Sequence, residues 1–150
     1  MEKIWLTVPG ALRYRPVAVR VVAEAARLVS GSARRDENDL LAIDVRDPFD
    51  TAVVSAFMEI FNNVAIHAYR REGNGRIEIS IAAGEREIVI EVLDHGRPFD
   101  LSKVPALPSE IDEASLPEGG MGIHIARTML DDVSYQPGPP NKWRLSKVRT

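Results

Sequence analysis

The order of strand-like and helix-like segments in this sequence predicts an α+β fold with one sheet and helices mainly on one face. Two observations support this prediction. The runs "RIEISIAA" and "EIVIEVLD" alternate apolar and polar residues, which predicts two strands joined by a hairpin at Gly84-Glu85. Other, longer segments carry an apolar stripe at helical spacing, and elements in this mixed order pack as a sheet layered against helices.

The N-terminal part of the chain is predicted to hold a strand followed by a helix. "KIWLTV" is β-rich and ends at Pro9, and Pro16 suits the first turn of a helix whose apolar stripe ends at Gly31. Residues 32–39 are polar and predict a loop. Residues 40–45 fit a short strand or a buried helix turn, and we favour the strand.

A long second helix is predicted to begin at Asp47 or Asp50, either of which can cap it, and to run to about Arg71. One side of this helix is apolar and should face the sheet: Val53, Phe57, Ile60, Phe61, Val64 and Ala68. At about 100° per residue, Glu59 and Asn63 lie together on another side, among small residues. Small neighbours leave room for something else to approach this carboxylate and amide.

The polar residues of the second helix also have simpler interpretations. A Glu-x-x-x-Asn pair occurs by chance in many helices, and Asn62 is interpreted as facing solvent. His67 is interpreted as a helix-end or core-edge histidine, because no second His or Asp stands with it at metal-ligand spacing.

The rest of the chain is predicted to hold a turn, a long loop, a third helix and two more strands. Residues 72–75 form the turn before the hairpin, and the prolines and glycines between His95 and Gly120 predict a surface loop. "GIHIARTMLDDV" predicts a helix. "VSYQ" and "KWRLSKV" predict strands separated by the turn "PGPPN".

Composition restricts the class of protein. The length of 150 residues predicts one domain, residues 1–150, and a net charge of −3 gives no case for a nucleic-acid or membrane partner. The absence of cysteine excludes a disulfide scaffold and a thiolate metal site. Apolar runs shorter than the roughly 20 residues of a membrane span, and the absence of a signal peptide, predict a cytoplasmic protein.

Two further motifs have the composition of ligand-binding loops. Asp94 ends a predicted strand, where a carboxylate can accept from an exocyclic amine, and Gly96 lets a flat ring approach the backbone. Gly119, Gly120 and Gly122 precede a helix, where free N–H groups can bind phosphate. An ordinary Asp-x-Gly turn and a loop with positive φ explain the same residues.

The three motifs in this order resemble the nucleotide-binding boxes of the GHKL ATPase/kinase superfamily. Three longer segments, "MEIFNNVAIHAY", "EGGMGIHIARTMLDDVSY" and "NKWRLSK", are similar to the anti-sigma factor serine/threonine protein kinases of bacterial partner switching. The resemblance covers nearly the whole chain. It implies the Bergerat fold, a two-layer sandwich of a mixed, mostly antiparallel sheet with helices on one face.

This resemblance implies roles for individual residues around bound ATP and Mg²⁺. Asn63 would be the Mg²⁺ ligand, and Glu59 would be the general base toward a substrate serine hydroxyl. Asp94 would accept from the adenine amino group, and Gly96 would let the base approach. Ser146 on the last strand would assist at adenine through water. The phosphates would be wrapped by Gly119, Gly120 and Gly122, and residues 100–118 would form the ATP lid.

The leading functional hypothesis is a kinase that also sequesters. It would bind a sigma factor or other effector in one state, and bind and phosphorylate a small antagonist protein on serine in another. A homodimer through "KIWLTV" and the first helix is expected, since that region is apolar and carries Arg13, Arg15 and Arg20.

Other functions compete with this hypothesis. A non-catalytic ATP-binding switch module is favoured by the composition of the lid, which holds Lys103 but no arginine and is rich in acids. A second departure from the superfamily lies at Pro98 and Phe99, where many members have another glycine. The catalytic domain of a two-component sensor is disfavoured because no dimerisation or phospho-acceptor helix precedes residue 1. A gyrase-like ATPase would need a transducer domain.

Overall fold

A computed structural model describes residues 2–32, 47–69, 75–101 and 121–150 of the chain. Its helices are α1 (Arg15–Ser30), α2 (Pro48–Asn63) and α3 (Met121–Met129), with a 3₁₀ turn at Leu12–Tyr14 and a π-helical turn at Val64–Ala68. Its strands are β1 (Lys3–Pro9), β2 (Arg76–Ala83), β3 (Glu87–Asp94), β4 (Asp132–Gln136) and β5 (Asn141–Val148). The strand predicted at 40–45 and most of the predicted turn at 72–75 lie outside the described residues.

The five described strands form one sheet in the order β1-β2-β3-β5-β4, and every pairing between them is antiparallel. The predicted hairpin is confirmed: Ile81 pairs with Ile90 across β2 and β3, and Gly84 N donates to Glu87 O at 2.8 Å. In this order β3 and β5 lie next to each other inside the sheet, so their ends come together.

One face of the sheet and the three helices enclose the core, which confirms the predicted α+β fold. Along β3 buried residues alternate with half-buried ones, as expected for a strand with one face in the core. The buried core residues of the strands include Ile77, Ile79, Ile81, Ile88, Ile90, Val92, Trp143 and Leu145. They pack with buried residues of α1, α2 and α3 that include Val22, Ala26, Phe57, Phe61, Ile123 and Ala126.

Short-range signals set where the first two helices begin and end. Gly31 ends α1 in the left-handed region at φ +83°, where glycine has no steric cost. Asp47 is the N-cap of α2, since its side chain accepts from Phe49 N at 2.8 Å and Asp50 N at 3.3 Å. Asp50 is fully buried and accepts from Ser32 Oγ, so of the two predicted caps Asp47 is the one used.

The helical stretch Pro48–Ala68 is long and apolar enough to span a membrane by length and composition alone: it has 21 residues, and an 18-residue window within it has a mean hydropathy of 1.2. The prediction that no stretch reaches this length was therefore wrong. However, 61% of that window is buried inside the protein. It is the core helix of the fold, and its apolar residues face the sheet and the neighbouring helices.

The outer face of the sheet is polar, as the alternation predicts. Glu91 lies between Lys142, at 2.8 Å, and Lys3, at 3.7 Å. The hydrogen bond from Lys142 holds the pKa of Glu91 below its ordinary value. Among the described apolar side chains of this face, Trp5 on the edge strand β1 is the most exposed, at 68%, and Val148 at the end of β5 follows at 45%.

Candidate functional site

The C-terminal end of α2 places a carboxylate and an amide beside the core. Glu59 is half-buried and Asn63 is 8% exposed, one turn further along the helix. Asn62 was expected to face solvent, but it is half-buried and accepts from Arg15 Nη1 at 2.8 Å, which ties α1 to α2. Within the described ranges no side chain bonds the amide of Asn63, so of the two adjacent amides Asn63 is the one left for a ligand.

Glu59 contacts the first turn of α3 at Gly122. A Cβ built on Gly122 would lie 2.5 Å from Glu59 Oε2 and 3.4 Å from Glu59 Cβ. Any larger residue would displace the carboxylate, so glycine is required for this close approach. The structure therefore brings together the first and third motifs of the sequence. The other two glycines of the third motif, Gly119 and Gly120, and lid residues 102–118 lie outside the described residues.

Asp94, at the end of β3, is the most constrained acid of the site. It is 1% exposed, and its Oδ1 accepts from Gly96 N and from Asn141 Nδ2, both at 2.9 Å. Its second oxygen, Oδ2, accepts no hydrogen bond from any described residue. Burial raises the pKa of Asp94, although the bonds from Asn141 and Gly96 oppose this shift. One carboxylate oxygen is thus fixed while the other stays available as an acceptor.

Asn141 is the site residue that sequence reasoning missed. It pairs directly with Asp94 across β3 and β5, and its Nδ2 also donates to Gly96 O at 3.0 Å. Its Oδ1 accepts from Gly138 N at 3.0 Å, which leaves the side chain one orientation. The predicted last strand began one residue later, at Lys142, and Asn141 was assigned to the turn "PGPPN". The available signal was its position two residues before Trp143, because residues two apart on a strand share a face.

The structure contradicts the expectation for Ser146. It pairs with Val89, whereas Asp94 pairs with Asn141 at the other end of β5. At about 3.4 Å per residue, Ser146 is roughly 17 Å along the strand from that end. It also lies on the outer face, because its neighbour Leu145 belongs to the core. A hydroxyl at that place is out of reach of a base held by Asp94.

The end of the long helix and the segment after β3 pack together. Arg97 N donates to Ala68 O at 3.0 Å, and a Cβ on Gly96 would lie 2.5 Å from the same carbonyl oxygen. Gly96 is therefore needed for the segment to approach the π-helical turn. Single π-helical turns in α-helices are frequent at functional sites, and this one follows Asn63 directly. The first and second motifs thus meet here.

Four rings form a cluster beyond Gly96. Phe99 lies 6.1 Å from His67 and 6.0 Å from Trp143 between ring centroids, and its backbone N donates to Tyr135 Oη at 2.8 Å. His67 is exposed at the helix end, which agrees with its interpretation as a helix-end histidine. The described residues contain no group of three or more His, Cys, Asp or Glu placed to hold a metal ion.

These residues fit ATP and Mg²⁺ on chemical grounds. Oδ2 of Asp94 is an acceptor of the kind that an adenine amino group requires. The space beside Gly96 is filled by the backbone of Ala68, so packing against the π-helical turn, and not room for a flat ring, accounts for this glycine. Asn63 offers an amide oxygen, a ligand type that Mg²⁺ accepts. Because the protein supplies few oxygens here, the phosphates themselves would have to complete the Mg²⁺ shell.

Comparison with known proteins identifies the family. The family described as "Histidine kinase-like ATPase domain" matches residues 9–147, nearly the whole chain. The chain belongs to this family. The match confirms the resemblance to the GHKL superfamily, and the histidine kinase-like ATPase family accounts for the antiparallel sheet layered against helices.

Individual relatives within this family carry one name, "Serine-protein kinase RsbW". The protein of Bacillus subtilis (strain 168) is 32% identical over 87 residues, which cover 54% of this chain and 53% of that protein. The protein of Oceanobacillus iheyensis is 36% identical over 83 residues, or 52% of each chain. The protein of Bacillus cereus (strain AH820) is 27% identical over 136 residues, 88% of this chain and 76% of that protein. The chain thus spans about half the length of the first two relatives.

Proposed function

We propose that this chain is an ATP-dependent serine-protein kinase of the partner-switching type, with residues 1–150 acting as one kinase domain. It sequesters a sigma factor or similar effector in one state, and phosphorylates a small antagonist protein on serine in another. The observation that carries the proposal is the carboxylate of Asp94, which is buried, fixed through one oxygen and open at the other. The names of the relatives, all serine-protein kinases, support the choice of serine kinase.

In this proposal some residues of the site bind the nucleotide, and another accepts the proton. Asp94 and Gly96 bind adenine. Asn63 would hold Mg²⁺, and Mg-ATP, when bound, would supply its γ-phosphoryl group to the substrate serine and leave as ADP. Glu59 accepts the proton of the substrate serine, and the absence of a side chain at Gly122 lets its carboxylate lie beside the start of α3. Gly119, Gly120 and Gly122 bind the phosphates, as glycines before a helix do.

The proposal includes partners and a compartment. The chain acts in the cytoplasm without a nucleic-acid or membrane partner, and it forms a homodimer through β1. Support for the dimer comes from Ile4 and Trp5, which are 40% and 68% exposed on an edge strand. Arg15 is an unsuitable contact residue for this interface because its guanidinium is already bonded to Asn62.

A non-catalytic ATP-binding module remains the alternative, favoured by the composition of the lid. The segment 100–118 contains Lys103 as its one basic residue, and its acids are Asp100, Glu110, Asp112, Glu113 and Glu118. Acids near a triphosphate oppose phosphoryl transfer because like charges repel. This module would bind ATP with the same residues but transfer no phosphate.

Phosphate transfer separates the two functions. The assay incubates the wild type with radiolabelled ATP, Mg²⁺ and the antagonist protein encoded by a neighbouring gene. The wild type should transfer labelled phosphate to a serine of the antagonist. Glu59→Gln should bind ATP within a few-fold of wild type while transfer falls by about 10²–10⁴, the usual range for general-base assistance. Asn63→Ala should weaken both Mg-ATP binding and transfer. The matched control is Glu85→Gln in the exposed hairpin turn, which should change neither.

Two outcomes decide against parts of this proposal. A Glu59→Gln variant that transfers phosphate at the wild-type rate would remove Glu59 as the base. A wild type that binds ATP but labels no antagonist would favour the non-catalytic module.

A further inference from the structure

Tyr69 ends the long helix, and two glycines enclose its ring. A Cβ on Gly10 would lie 2.3 Å from Tyr69 Cδ2, and a Cβ on Gly75 would lie 2.1 Å from Tyr69 Cε1. Gly10 N donates to Gly75 O at 2.7 Å, which joins the two walls around the ring. Because real Cβ atoms do not come this close, the space exists only while both residues are glycine. The ring, which is 8% exposed, is therefore held in one place.

The hydroxyl of Tyr69 forms hydrogen bonds with two backbone groups. It donates to Arg76 O at 2.5 Å and accepts from His95 N at 3.0 Å. A tyrosine hydroxyl has one proton, so donation to the carbonyl leaves only its lone pairs for the amide. Burial raises the pKa of Tyr69 above 10.0, so the hydroxyl keeps its proton at neutral pH.

The amide that the hydroxyl binds belongs to the residue after Asp94. His95 N and Arg97 N are both bonded to the end of the long helix, through Tyr69 Oη and Ala68 O. Gly96 lies between them, and its N–H is one of the two donors that orient Asp94 Oδ1. The Tyr69 hydroxyl thus holds the backbone at His95 in place, and the next residue, Gly96, orients the carboxylate of Asp94.

We propose that Tyr69 is a positioning residue for purine recognition, and that its hydroxyl makes this site prefer a 6-amino purine to a 6-oxo purine. The inference rests on the proposed function, since it requires Asp94 to bind the base. Adenine donates to the free oxygen of Asp94 through its 6-amino group. Hypoxanthine presents a carbonyl oxygen there, which cannot donate and repels the carboxylate. A site built to accept from one substrate group rejects an analogue that lacks this group, because the buried acceptor is then left unpaired. We expect this rejection to weaken when the acceptor can turn away, as Asp94 could without the Tyr69 hydroxyl.

The test compares ATP with inosine triphosphate (ITP) in titration calorimetry with Mg²⁺. The wild type should prefer ATP by tenfold or more. Tyr69→Phe keeps the ring between its glycines and loses one hydroxyl, so the ATP-to-ITP preference should fall by about three- to tenfold, as expected for one lost hydrogen bond. Asp94→Asn should abolish the preference. Tyr14→Phe is the matched control, since the Tyr14 hydroxyl makes no hydrogen bond within the described part of the chain.

The outcomes keep this inference apart from the proposed function. If the wild type binds ATP and ITP equally, Asp94 does not distinguish the 6-amino from the 6-oxo group, and its assignment to the adenine site fails. If the wild type discriminates and Tyr69→Phe discriminates equally well, Tyr69 has no positioning role. A uniform loss of both affinities also contradicts the inference, because a general loss of folding would lower both together. Amide hydrogen exchange at His95 should accelerate in Tyr69→Phe, and unchanged protection would likewise overturn the proposal.

Discussion

The carboxylate of Asp94 is buried at the end of β3, and burial raises its pKa above the ordinary value of 3.8. The folded chain therefore binds this proton more tightly than the unfolded chain does. Stability falls as the pH rises from 3.8 through the raised pKa, and the cost is fully present above that value. A neutral side chain of the same shape removes this cost and retains the acceptor for Gly96 and Asn141.

Asp94→Asn is expected to separate stability from binding. At neutral pH the variant should be as stable as the wild type or more stable, and this difference should vanish below about pH 4. Its ATP dissociation constant should rise roughly ten- to hundredfold, since a charge-assisted bond is worth about 1.5–3 kcal/mol. Chemical denaturation at several pH values and calorimetry measure the two effects, with the exposed Asp132→Asn as control. An unchanged ATP affinity would exclude Asp94 from the adenine site.

At the scale of elements, α2 carries its cap and its candidate site at opposite ends. Asp47 and Asn63 are about 24 Å apart at 1.5 Å rise per residue. The cap satisfies two backbone N–H groups that the helix itself cannot bond. Its loss should weaken the helix without altering the residues that face the ligand.

Asp47→Ala should therefore lower the free energy of unfolding by about 1 kcal/mol, within the 0.5–2 kcal/mol range for lost caps. Its ATP affinity at temperatures where the protein is folded should stay at the wild-type value. Asp132→Ala is the comparison, because within the described ranges the Asp132 side chain makes only a surface ion pair, with Arg144 at 3.8 Å. Equal destabilisation by the two substitutions would show that the cap contributes nothing of its own.

The same elements show why sequence reasoning succeeded for the fold and only partly for the site. Apolar periods, caps and the glycine at 31 act over a few residues, so helices and hairpin could be predicted from them. The bond from Asn141 to Asp94 joins residues 47 positions apart, and its geometry depends on how β5 is placed against β3. No pattern within a few residues of the sequence predicts this register between β3 and β5. Ser146, by contrast, was an avoidable error, since alternation with Leu145 already assigned it to the outer face.

At the scale of the whole molecule, the sheet has one edge that is apolar as well as open. Among the described strands β1 pairs only with β2, and its outward face presents Trp5. An edge strand with exposed large apolar residues favours association with another chain. The proposed homodimer would cover this edge.

Trp5→Glu is expected to shift the protein from dimer to monomer. A charge at the centre of an apolar contact must lose its hydration on association, which costs several kcal/mol unless it is paired. Light scattering over a range of protein concentrations measures the change. Val148→Glu is the matched control, because Val148 is 45% exposed at the end of β5, away from β1. A wild type that stays monomeric at high concentration would rule out the dimer.

The aromatic cluster beside the candidate site contains a tryptophan whose fluorescence can report on that site. The chain has two tryptophans: Trp5 is exposed, while Trp143 is 1% exposed with its ring centroid 4.5 Å from that of Tyr135. The emission of Trp143 should be blue-shifted by burial and that of Trp5 red-shifted by water. Replacing Trp5 with phenylalanine leaves a single tryptophan, Trp143 on β5, on the same face as Asn141 and two residues from it. Nucleotide binding could then be followed by intrinsic fluorescence, without any attached dye.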